Sequence, residues 1–119
     1  MIMIRRNRPQ DEDSPARFGS GELVKHKRYG YRGVVVAFDL SCAAPEGWYR
    51  ANRTQPKRNQ PWYHVLVDQS SQTTYAAEDS LEPDHSGAEI THELLDEFFD
   101  DFRDGYYVRN AREWGTPSS

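Results

Sequence analysis

The sequence predicts a mainly β fold, a small antiparallel barrel followed by one amphipathic C-terminal α-helix. Two observations predict it. Short runs of β-branched and aromatic residues recur between positions 23 and 83, punctuated by Gly, Pro, Asp and Ser, the pattern of a compact antiparallel barrel. After residue 87 the apolar period changes, and Ile90, Leu94, Leu95, Phe98, Phe99 and Phe102 fall on one helical face.

Each element follows from local chemistry. Leu23-Val24-Lys25-His26 reads as a short first strand entered through Gly19-Ser20-Gly21. The turn Tyr29-Gly30-Tyr31-Arg32-Gly33 leads into a continuously apolar run, Val34 to Phe38, expected as a central strand covered on both faces. Residues 40–60 hold Pro45, Gly47 and Pro56 and show no strand or helix period, so they read as a long loop. Pro61 opens the strongest strand signal, through Val67, at a strand start, where its missing N–H is tolerated. Asp68 to Gln72 connects to a return strand from Thr73, residues 77–80 turn the chain, and Leu81 to Pro83 ends the barrel. In the expected helix Thr91 is the N-cap, Glu93 lies in the first turn and Gly105 is the stop.

The length of 119 residues suits one domain. Its ends are polar, so flexible tails are expected at 1–17 and 111–119 around a domain at 18–110. The net charge of −4 hides a polarity: residues 1–60 carry +6 and residues 61–119 carry −10. This excludes coating nucleic acid by charge alone, but allows an anion-binding face or a homo-oligomer of paired basic and acidic faces. One cysteine, Cys42, excludes an internal disulfide. No run reaches a membrane span and no secretory signal is legible, so a cytoplasmic location without a membrane partner is expected.

The candidate binding residues are cations with aromatic rings among them. Lys25, Lys27, Arg28 and Arg32 cluster at the first turn, and Arg50, Arg53, Lys57 and Arg58 come from the long loop together with Trp48 and Tyr49. Lys and Arg neutralise phosphates and release counterions, while Trp and Tyr stack on bases. About five such phosphate contacts would give a slope of log K on log salt near −4 to −5. In the alternative reading Tyr29, Tyr31 and Trp48 plug the barrel and the cations only solvate it. A second candidate is the Phe98, Phe99 and Phe102 ridge, which could dock in a partner's groove or pack on its own barrel. The four histidines lie in separate elements without a metal spacing, and no glycine-rich phosphate loop is present. No catalytic residue, metal or cofactor is expected, and the chain reads as a non-enzyme.

The motifs Phe18-Gly19-x-Gly21, Val24-x-His26, Tyr29-Gly30-Tyr31-Arg32-Gly33-Val34-Val35, Pro61 to Val67 and Tyr75-x-Ala77-Glu78 together resemble the hemimethylated-DNA-binding family, the YccV-like or HspQ heat-shock proteins. The pattern Ile90-x-His92…Phe98-Phe99…Phe102…Gly105-Tyr106 is more similar to plastid and F-box-associated relatives than to the short enterobacterial form. The resemblance implies an SH3-like barrel and binding of duplex, hemimethylated DNA. It also implies, as an alternative, a stress-response adaptor linked to an ATP-dependent protease and to protein turnover.

Overall fold

The computed structural model describes residues 16–115; the rest of the expected tails, 1–15 and 116–119, lie outside the described residues. Strands β1 (Leu23–His26), β2 (Arg32–Asp39), β3 (Trp62–Val67), β4 (Thr73–Ala77) and β5 (Leu81–Pro83) form one antiparallel sheet in the order β4-β3-β2-β1-β5. No ladder joins β4 to β5, so hydrogen bonding leaves the barrel open at that seam. The phenol of Tyr31, on the far side of it, nevertheless meets the Thr74 hydroxyl at 2.7 Å.

The apolar run in β2 packs on both sides, as its lack of alternation requires. Val35 joins Phe18, Val24, Tyr63, Val65, Ala76 and Leu81 in one core, while Val34 and Val36 join Leu23, Leu66, Ile90, Phe98, Phe99 and Tyr107 in another. Gly33 sits where β2 crosses β3, and a Cβ there would collide with the Leu66 carbonyl oxygen. The tight β1–β2 turn needs Gly30 at φ +77°.

Two elements differ from the sequence expectation. Residues 40–60 are not all loop: α1 (Glu46–Ala51) forms there, with none of its residues buried. An exposed helix of that length has no apolar stripe to announce it. The larger correction concerns the C-terminal helix. Only α2 (Leu95–Phe98) is helical, its N-cap is Leu94 rather than Thr91, and the chain then enters a hairpin, β6 (Phe99–Arg103) and β7 (Tyr106–Arg109). Gly105 is not a helix stop. Asp104 and Gly105 both take positive φ, 55° and 84°, the two-residue turn that matches strand twist.

Both ends of the described chain pack on the domain. Ala16 is buried in the first core, the Arg17 N–H donates to Glu78 at 2.8 Å, and the Trp114 ring lies 5.3 Å from Phe98. Among the described residues no helix is long and apolar enough to cross a membrane.

Candidate nucleic-acid interface

The first turn is fixed by a histidine. His26 is buried, its Nδ1 accepts the amide N–H groups of Arg28 and Tyr29 at 3.1 Å each, and its ring stacks on Tyr29 and lies against Tyr31. Burial, with the Arg28 charge second, lowers its pKa, so the neutral acceptor form is the one the turn requires. The turn thereby presents Tyr29, 54% exposed, and the Arg28 guanidinium 5.9 Å from that ring.

Opposite the turn, residues 43–56 fold over the end of β3. The Tyr49 hydroxyl donates to the Pro56 carbonyl at 2.7 Å and the Arg58 guanidinium donates to the Ala44 carbonyl at 2.6 Å, closing this segment on itself. Between turn and segment runs a groove of about 570 Å³. All five residues of β4 line it, so it follows the free edge of the sheet. His26, Tyr29 and Tyr31 form one bank; Trp48, Asn52 and Thr54 form the other.

The floor is aromatic and carries one acid. Trp62 and His64 point the same way by strand alternation, and Tyr75 lies opposite His64 in the ladder with ring centroids 4.5 Å apart. Trp48 packs edge-on to Trp62 at 6.2 Å and tilts against Tyr75 at 5.7 Å. Asp39 accepts the Tyr75 hydroxyl at 2.6 Å and lies 3.4 Å from His64 Nε2. Burial, then the bond to Asp39, pushes the Tyr75 phenol well above its ordinary pKa. Burial also lowers His64, against the pull of Asp39. The Asp39 carboxylate is thus held by a phenol and faces a neutral imidazole.

The candidate cations differ in what holds them. Arg32 is occupied by the fold: it bonds Asp84 at 2.8 Å, Asp68 at 3.0 Å and the Ala88 carbonyl at 2.6 Å. Burial alone would raise the Asp84 carboxyl; the bonds from Arg32 and Ser86 outweigh it and hold the pKa below the usual value. Arg58 lies over the Tyr49 ring at 4.8 Å, and Tyr49 is not a lining residue of the groove. Lys25 pairs in register with Arg32 and alternates with His26, which turns it away from the bank that His26 forms. Arg50 is tied to Glu46 at 2.7 Å in an exposed i,i+4 pair. Lys27 and Arg28 flank the Tyr29 bank, and Arg53 and Lys57 neighbour the lining residues Asn52, Thr54 and Pro56. Those four are exposed and have no ion pair among the described residues.

The phenylalanine ridge is core. Phe98 and Phe99 are 7% and 5% exposed, Phe99 and Phe102 pack on Tyr107, and the Arg109 guanidinium lies 5.1 Å from the Phe98 ring. Phe98 and Phe99 are sealed from a partner, and Phe102 is partly buried against Tyr107. Tyr29 and Trp48 are exposed at an open groove, whereas Tyr31 lines it and also packs against the first core. Asp39, Trp62, His64 and Tyr75 are the site residues that sequence reasoning missed, although the two-residue spacing of Trp62 and His64 placed them on one face.

The model of the family described as hemimethylated DNA-binding protein YccV like matches residues 16–106. The chain belongs to this family. Curated relatives that match are F-box only protein 21 of Homo sapiens and of Pongo abelii, each 34% identical over 97 residues, and of Mus musculus, 32% identical over 107 residues. These matches cover 79%, 79% and 87% of this chain but only 15%, 16% and 17% of the relatives. The YccV-like domain is therefore a small part of those proteins, and the chain spans about one sixth of their length. The family match begins at Ala16, the first described residue, and ends inside β7.

Proposed function

We propose that this protein binds DNA, of the hemimethylated kind that gives its family its description, on the groove along β4. The observation that carries the reading is convergence. The turn 26–31 and the segment 43–56, far apart in sequence, border one aromatic groove, and the exposed Lys27, Arg28, Arg53 and Lys57 neighbour its lining residues in sequence. We read the five strands as an SH3-like sheet with that groove at its open seam, and the site as a binding surface without catalytic chemistry. One methyl group in an apolar pocket contributes about 0.8 kcal/mol, so preference for hemimethylated over unmethylated duplex is expected at about fourfold. Anisotropy titrations with unmethylated, hemimethylated and fully methylated duplexes of one sequence test this. Four phosphate contacts set the salt slope near −4. Absence of binding, or binding indifferent to salt, overturns the reading.

A second reading, a protein-interaction module, draws on the same strand. Val67 donates to Gln72 and Glu78 donates to Pro61. Thr74 and Ala76 therefore face β3, and the backbone groups of Thr73, Tyr75 and Ala77 point outward, to an edge on which no ladder forms among the described residues. An extended peptide could pair there. Slowed amide exchange at Tyr75 and Ala77 in the presence of a bound peptide would favour this reading, and unchanged exchange removes it.

A further inference from the structure

Two exposed rings at the groove can meet a planar ligand. Tyr29 and Trp48, 54% and 38% exposed, stand on opposite banks, and Tyr75 lies between them on β4. Inside an intact duplex the faces of the bases are covered by their neighbours, and a protein meets only their edges and the phosphates. Rings that stack on bases are the device of proteins that hold single strands, where every base has a free face and cations follow one backbone. Here the Arg28 guanidinium lies 5.9 Å from the Tyr29 ring, and Lys27, Arg53 and Lys57 are exposed next to lining residues in sequence. The polar side chains on the walls, Asn52, Thr54 and Thr74, can bond a base edge that enters between them. The one carboxylate in the groove, Asp39, is already bonded to the Tyr75 hydroxyl.

We infer that the groove takes an unstacked base, from a single-stranded or locally opened stretch of DNA, with the flanking phosphates on the two cationic banks. The inference rests on the DNA reading above and specifies what the site grips. Opening a paired base costs binding energy, least when the base is already unpaired. Affinity therefore follows the order single strand, duplex with one unpaired base, matched duplex. Stacking one base is worth about a factor of ten or more in affinity.

The test is an anisotropy titration of the full chain at one salt concentration with three labelled probes of common sequence. These are a short single strand, its matched duplex, and that duplex with one bulged 2-aminopurine. Binding to the first and third about tenfold tighter than to the matched duplex, with a change in 2-aminopurine emission, is the expected result. Tyr29→Ala and Trp48→Ala should each reduce single-strand affinity toward that of the matched duplex, while Trp48→Phe, which keeps a ring, retains it. Lys25→Ala, away from the groove, should change nothing. Circular dichroism checks that each variant is folded. Equal, salt-dependent binding to all three probes overturns this inference and leaves the DNA reading standing. Binding to none overturns both.

Discussion

Two aromatic clusters lie on the same sheet and are treated in opposite ways. Phe98, Phe99 and Tyr107, each 7% exposed or less, are sealed beneath the β6–β7 hairpin, with Phe102 and Trp114 at the margin. Tyr29 and Trp48 are left in solvent at the β4 edge, backed by the buried Trp62. The residue types are alike, so cover decides the role. The sealed cluster contributes by removing apolar area from water. The open cluster leaves part of each ring in solvent, with the Arg28 guanidinium beside Tyr29. The arginines divide the same way, with Arg32 and Arg109 turned into the fold and Arg28 left outside it.

That contrast can be broken from either side. Phe99→Ala empties a sealed position and is expected to cost about 3–5 kcal/mol of stability, read from denaturant midpoints; a loss below about 1 kcal/mol would mean the hairpin is not core. Arg32→Ala leaves Asp68 and Asp84 without their cation and should cost about 2 kcal/mol. It should leave the salt slope of DNA binding unchanged, because Arg32 is not at the groove. Acidification is the next lever. His26 and His64 both have lowered pKa values in the folded protein, so the unfolded chain takes up protons first. Their contribution is complete above the ordinary histidine value of about 6.5 and is lost as pH falls below it toward the lowered folded values. Melting temperature should therefore drop between pH 7 and pH 5, and His26→Gln should flatten part of that drop. The smallest effect on the fold belongs to the open side: Lys27→Ala is expected to change stability by less than about 0.5 kcal/mol. The same substitution should make the salt slope shallower by about one, which separates a ligand of phosphate from a solvated charge.

The five sheet strands were legible because each is short, β-branched or aromatic, and bounded by turn residues. The doubly covered β2 was legible from its unbroken apolar run. The C-terminal hairpin was misread for a specific reason. Its ladder shifts register between Phe99 and Asp101, and the extra residue turns the two-residue period of a strand into a spacing of three between Phe99 and Phe102. With Phe98 at the end of α2, the apolar positions then imitate a helix. Asp104-Gly105 was the countersignal, a dipeptide suited to a two-residue hairpin. At the site, the two banks were legible as cationic aromatic segments. Which cations remain available was not, because the partners of Arg32 lie at Asp68, Asp84 and Ala88, 36 or more positions away. The pairing of Tyr75 with Asp39 is also long-range, across 36 positions.

Gly21 donates to Val35 at 2.8 Å and accepts from Tyr107 at 2.9 Å, and a side chain at this position, with φ +96°, would strike the Tyr107 carbonyl oxygen. The start of the sheet and the last strand are therefore in backbone contact. Local opening of β7 therefore also releases the backbone that leads into β1, so these two parts of the fold loosen together rather than one at a time.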